Sequence, residues 1–323
     1  MSGVFQTSNM ANVIRQELYT SELQARFSDW LLGMPLFNDR TSEFGDGDAA
    51  FIDQVGQRTL REYVENSPID FSNIDLSRIQ LRVTEYLQDG FAITDKAKQD
   101  SWKADMLWAK NVEESTRAFE RQIESDVLAT CNQQVLGNAN LINGHAHRAI
   151  ATGTDKTLAL KDIAKIKLAF DKARVAPENR VLLIDPSQEY ALNQLVSITQ
   201  PATGDIFNKD FMGIIEDGFG NKLNFIRNIY GFNIMISHNL PVVASETIGG
   251  VTVTNGVCNI AMSMAGSDAM PFMGVIRQQP TGEFERNGKM KRDEYSATAR
   301  WGFAIQRPES LYVLLSGTDI TNL

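Results

Sequence analysis

The segment nearest to a phosphate-binding loop is Gly282 to Met290, GEFERNGKM. That chemistry needs a shorter gap between the glycines and a Ser or Thr after the lysine to meet Mg²⁺. Here Met290 follows Lys289, so no nucleotide site is assigned. Asp46, Asp48 and Asp53 have the spacing of a calcium loop only in outline, because Phe51 stands where the sharp turn needs glycine. They read as a solvated linker. His145 and His147 form a His-x-His pair, but His238 is remote and no carboxylate cluster adjoins them, so the pair reads as loop surface. No Gly-x-Ser-x-Gly elbow occurs. Cys131 and Cys258 lie far apart with no histidine near either, and read as reduced, buried thiols. Glu113, Glu114, Glu120 and Glu124 fall on one predicted helix as its wet face. No catalytic, cofactor-binding or metal-binding residue follows from these patterns, and the chain is not expected to be an enzyme.

What remains is a set of charges suited to recognition. Arg58, Arg61, Arg78 and Arg82 are all arginine, whose planar guanidinium pairs with carboxylates at interfaces. Glu62, Glu65, Asp75 and Glu85 are interleaved with them. These eight residues are the candidate inter-subunit contacts. They sit on two strand-like runs between Phe51 and Thr94 that flank the turn-rich segment SPIDFSNID, which reads as a long β-hairpin. Leu60, Glu62 and Val64 share one face and Arg61, Tyr63 and Glu65 the other; Leu81, Val83 and Glu85 alternate with Arg82, Thr84 and Tyr86. With charge on both faces, the hairpin is expected to project from its own subunit.

The other elements follow from periodicity. Residues 8–32 have the spacing of a helix ended by Gly33 and Pro35. After a cap at Thr94 or Asp95, apolar residues from Trp102 to Val135 recur at helical steps with no Pro or Gly before Gly137. About 40 residues at 1.5 Å each give roughly 60 Å, longer than the roughly 50 Å diameter of a compact chain of this size. An elongated molecule is expected. Gly137 to Thr157 reads as an exposed loop. Beyond it come a helix over Leu160 to Ala173, a buried strand over Val181 to Asp185, a helix started by Asp185-Pro186, and a strand near Gly231 to Ser237. VTVTNGVCNIAMSM reads as a hairpin turning at Asn255-Gly256, and PFMGVIRQ, DEYSATARWGFAIQ and LYVLLS as further strands.

Composition narrows the class. The chain has 323 residues, 43% hydrophobic and 22% charged, as folded proteins do. No apolar run is long enough for a transmembrane helix, and MSGVFQTSNM lacks the pattern of a signal peptide. A cytoplasmic protein with no membrane partner is expected. The net charge of −9 disfavours wrapping nucleic acid through its phosphates.

The order of elements resembles the major capsid proteins of tailed bacteriophages, an α+β architecture (HK97-like) shared with encapsulins. FAITDKAKQDS resembles the family's junction between hairpin and spine helix. RVLLIDPSQEYALNQL and GFNIMISHNLP are similar to its axial-domain pattern, and RDEYSATARWGFAIQRPESLYVLL to its closing strands. The resemblance implies an N-terminal arm over 1–48, an extended loop over 49–93, a peripheral domain with the spine helix over 94–157, an axial domain over 158–265, peripheral strands over 266–300 and a return to the axial domain over 301–323. It implies a subunit that assembles with itself into pentamers and hexamers of an icosahedral shell around double-stranded DNA, touched only weakly and non-specifically. Scaffolding, portal and cement proteins are implied partners, and the virion capsid, assembled in the bacterial cytoplasm, the implied location. No cofactor is implied. An encapsulin-like compartment around a cargo enzyme and a cytosolic α/β enzyme are the alternatives. Some members crosslink a loop lysine to a neighbour's asparagine; Lys96 is the first lysine here, so that link is not expected.

Overall fold

The computed structural model describes residues 32, 36–45, 47–55, 60, 62, 65–66, 68, 76–101, 104–198 and 228–318. The helix expected over 8–32 lies almost wholly outside them. Two sheets with helices between and upon them form an α+β fold. The first has the order β1 (Asn38–Asp39), β12 (Phe272–Asn287), β13 (Arg292–Ile305), β4 (Glu85–Thr94). β13 shows why it is central: Tyr295, Ala297, Ala299, Trp301 and Phe303 alternate along it and are all buried. A period of two puts them on one face, where Phe119 and Val127 of the helix α2 (Ala104–Ala129) pack.

The second sheet runs β7 (Arg148–Ile150), β14 (Leu311–Ser316), β11 (Val251–Ser263), β8 (Arg180–Ile184), β9 (Phe232–Ile236), with β10 (Val242–Ile248) paired to β11. Where β14, β11 and β8 pair, the strands are buried on both faces and mostly apolar. Val181, Leu183, Ile260, Met262, Val313 and Leu315 face the core shared with α2. The alternating Leu182, Ile184, Ala261, Tyr312 and Leu314 pack with Ile163, Ile166 and Phe170 of α3 (Leu160–Lys172). The helix α4 (Pro186–Ile198) starts as the sequence indicates: the Ser187 N–H donates to the Asp185 carboxylate at 2.9 Å.

Several expectations are corrected. The hairpin is shorter than Phe51 to Thr94: β2 (Ala49–Val55) pairs with β3 (Leu76–Arg82), the chain breaks at Val83–Thr84, and β4 pairs instead with β13. Nor is the base of that hairpin charged on both faces, since Ala50, Ile52, Ile79 and fully buried Leu81 pack against Met273, Val275 and Ala304. The long helix is interrupted. α1 (Asp95–Asp100), capped by the Thr94 hydroxyl, ends at Ser101 in an extended conformation, and α2 begins three residues on. α1 is tied to the sheet's end through Lys98–Asp293 and Asp95–Arg286, whereas α2 follows the apolar face of β13. At 26 residues α2 is about 39 Å long, so its length does not by itself demand an elongated molecule.

Gly137 to Thr157 is not an exposed loop. It holds the small hairpin β5 (Leu141–Ile142) and β6 (His145–Ala146), then β7, and His147 and Arg148 are fully buried. Finally, Asn255-Gly256 lies inside β11. The turn is at Gly249-Gly250, where φ is +59° and +81°, the positive values at both positions that a two-residue I′ turn requires.

Gly302 marks where the hairpin base crosses β13. A Cβ there would stand 1.9 Å from the Arg82 carbonyl oxygen, a backbone atom that cannot swing aside. Gly302→Ala is expected to cost about 1–3 kcal/mol of stability and to strip hydrogen-exchange protection from the Val83 amide, which donates to the Asp48 carbonyl at 2.9 Å. Unchanged protection at Val83 would show that the hairpin is not held there.

Candidate functional site

The hairpin has a wet face opposite its buried one. Phe51, Asp53, Arg78, Gln80 and Arg82 are all exposed on it. Asp53 stands directly across from Arg78, and their ion pair closes at 2.7 Å while the guanidinium lies 5.5 Å from the centre of the Phe51 ring. The Asp53 carboxylate raises the Arg78 pKa further, so this charge is permanent. An exposed pair of this kind contributes little to stability. The buried Leu81 side is what holds the strand down, worth about 1.5–3 kcal/mol for a fully buried leucine.

Of the eight candidate contacts, Arg58, Arg61 and Asp75 lie outside the described residues. Glu62 and Glu65 are exposed between the strands. Arg78 and Arg82 share the wet face of β3, but Arg78 already has Asp53 of its own chain, a partner the sequence reading gave to a linker. Glu85 stands apart from the hairpin, on β4 opposite Trp301. Phe51, 58% exposed, is the apolar group the sequence reading missed. Its position two residues from Asp53 on an amphipathic strand was the available signal.

A second exposed feature lies at the free end of the first sheet. Lys98, Trp108, Phe284, Arg286 and Asp293 line a cleft of about 480 Å³. Arg286 grips Asp95 at 2.6 Å and Asp293 at 2.7 Å, and these bonds, with Lys98 on Asp293, hold both carboxyls below their ordinary range. Gly282 to Met290 forms the end of β12 and the turn into β13 here, with no helix behind it.

Buried polar contacts tie α2 to what surrounds it. Glu124, expected on the wet face of the helix, is buried: it accepts from the Leu32 amide at 2.8 Å and from Asn239 at 3.0 Å. Glu113 and Glu114 do stay on that face, paired with Arg117. Arg148 forms a bidentate pair with Glu246, at 2.8 and 2.7 Å. Sequence could not pair them, since they are 98 residues apart.

His147 is a correction too, buried between Phe170 and Tyr312 rather than on a loop surface. Its Nδ1 lies 3.0 Å from the Leu311 carbonyl and must donate, which leaves Nε2 unprotonated and, among the described residues, without a partner. Burial lowers its pKa. The unfolded chain, with an ordinary value of about 6.5, therefore takes up the proton first as pH falls. Stability present above about pH 6.5 is lost as pH drops from there through the lower folded value, at a slope of at most about 1.4 kcal/mol per pH unit. His147→Asn, which keeps a donor toward Leu311, is expected to flatten the fall of urea-unfolding midpoints as pH drops below about 6.5. An equally steep profile in that variant would exclude His147 as the source.

Among the described residues no three His, Cys, Asp or Glu side chains group as metal ligands. No described helix is long and apolar enough to cross a membrane. The arrangement can make contacts along a hairpin and at a sheet tip.

Comparisons bear on what such contacts serve. The sequence model of the family described as phage capsid protein matches residues 78–314. The fold is similar to that of Mycobacterium phage Che8, at 15% identity over 94% of this chain and 97% of that one, with a TM-score of 0.67. It is similar also to the capsid structure of the cyanophage P-SCSP1u, at 14% identity over 95% and 94% with a TM-score of 0.67. The capsid of Ralstonia phage GP4 matches at 11% identity over the whole of both chains with a TM-score of 0.63. At such identities the likeness is one of fold. No curated protein matches the sequence.

Proposed function

The chain belongs to the phage capsid protein family and is a structural capsid subunit with an HK97-like fold, and from that premise we propose that it assembles with itself into pentamers and hexamers of an icosahedral shell around double-stranded DNA. In this reading the β2–β3 hairpin is the extended loop. It lies across an adjacent subunit, where Arg58, Arg61, Arg78 and Arg82 meet carboxylates and Glu62, Glu65 and Asp75 answer a neighbour's cations. The first sheet with α2 forms the peripheral domain, and the second sheet with α3 and α4 the axial domain near the capsomer axis.

The observation that carries this reading is the two-sided hairpin: Leu81 is fully buried while Phe51 on the other face is left 58% exposed. A strand pair anchored on one side with an aromatic and an arginine ladder on the other is built to be covered by something else. Weak repeated contacts suit a shell, because misplaced subunits can leave while the closed particle is stable. The net charge of −9 suits a wall that packaged DNA does not adhere to. Scaffolding, portal and cement proteins, and assembly in the bacterial cytoplasm, belong to the same proposal.

Sedimentation of the expressed protein at physiological salt tests it. Megadalton particles holding nuclease-protected DNA when recovered from phage-producing cells are expected. A small oligomer with no large species would refute the shell, and tight binding of the free subunit to duplex DNA would refute a non-adhesive wall.

A further inference from the structure

Cys131 and Cys258, 127 positions apart, meet inside the molecule, and nothing in the structural role uses them. Cys131 is in the short 3-10 turn that ends α2, Thr130–Gln133, and Cys258 is on β11, the middle strand of the second sheet. Both are free and fully buried. Their sulfurs converge on one atom, the Asn132 side-chain oxygen, at 3.9 and 3.6 Å, and both side chains belong to one buried apolar cluster. The guanidinium charge of Arg148 favours the Cys258 thiolate. Glu246 occupies the Arg148 Nε and Nη2, leaving buried Nη1 without a hydrogen-bond partner among the described residues.

We propose that Cys131 and Cys258 are an oxidisable dithiol site, which a peroxide-class oxidant converts to an intrachain disulfide stapling the end of α2 to β11. Cys258 is the attacking sulfur. The Cys131 thiol and the Arg148 cation hold its pKa down against burial and the Glu246 carboxylate, while Cys258 and burial push Cys131 well up. A thiolate beside a fixed cation is the reactive form.

The Cys258 sulfur takes one peroxide oxygen as the O–O bond breaks, giving a sulfenic acid and one water. The Cys131 sulfur then attacks the Cys258 sulfur, the S–S bond forms, and the sulfenic oxygen leaves with the Cys131 proton as a second water. Two thiols lose two electrons and one peroxide gains them. The product joins the element that packs on the first sheet to the core of the second, so it fixes the seam between them.

Full-length protein is treated with hydrogen peroxide while folded, quenched with catalase, denatured and alkylated, and its peptides are mapped. The expected result is loss of both alkylatable thiols per chain, a crosslinked peptide pair containing Cys131 and Cys258, and its reversal by dithiothreitol. In Cys131→Ser, Cys258 is expected to stop at a sulfenic acid that dimedone traps. The wild-type result decides even if that variant does not fold. Two intact thiols after treatment, separate sulfinic acids, or a disulfide between two chains would each overturn the site.

Discussion

Trp301→Ala is expected to lower the unfolding free energy of the subunit by about 3–5 kcal/mol. Among the described residues Trp301 is the largest fully buried side chain, and it stands on β13 between the two strands that pair with it. It meets the Phe119 ring edge-on at 6.4 Å, and its indole N–H donates to the Asp126 carboxylate at 2.9 Å. Truncation therefore empties the seam between α2 and the first sheet and takes a donor from Asp126, which keeps Gln122. Trp301→Phe separates the effects: it retains most of the ring and loses the hydrogen bond, for an expected loss of about 1–3 kcal/mol. Urea unfolding followed by circular dichroism measures both. A loss below about 1 kcal/mol in the alanine variant, the size of an ordinary exposed substitution, would mean that this seam is not the core of the subunit.

Replacing residues 56–75 with Asn-Gly is expected to leave the subunit folded and abolish shell formation. The register makes the cut exact in place: Val55 is opposite Leu76, so a two-residue turn closes the hairpin with its existing pairing. The deletion removes Arg58, Arg61, Glu62, Glu65 and Asp75 together and spares Leu81, which anchors the base. It must not run into residues 85–94, because β4 is hydrogen-bonded along β13 and its loss would unfold the first sheet. A melting curve like that of the intact chain, with assembly gone, is the expected pair of results. Normal shells from the shortened chain would remove the extended-loop role.

Much of the fold was legible because it is locally encoded. Thr94 and Asp185 announce helix starts through their own side chains, and the alternation from Tyr295 to Phe303 announces a half-buried strand. The failures have a common cause in distant partners. His147 and Arg148 look like loop residues until Leu311 and Glu246 supply a carbonyl and a carboxylate. Asn255-Gly256 is good turn chemistry, yet β14 pairs with β11 from Val257 onward, and the neighbouring Gly249-Gly250 takes the turn. Nothing in Ser101 forbids a helix, but α1 is held by Arg286 and Asp293 on a hairpin nearly 200 residues away.

The candidate surface was chosen on composition alone. An arginine-rich hairpin identifies itself, but which charges it satisfies internally does not: Asp53 claims Arg78, and Glu85 turns out to belong to another sheet. The two cysteines show the same limit, since only folding brings them to one side chain, Asn132.

Electron microscopy of the purified full-length protein is the most direct test of the subunit as a shell builder whose hairpin is completed by neighbours. Closed particles of uniform diameter are predicted, with six-fold and five-fold capsomers and, in the reconstruction, Phe51 and the Arg78–Arg82 face covered by an adjacent subunit. Fields of small oligomers, or closed shells in which that face is left in solvent, would contradict it.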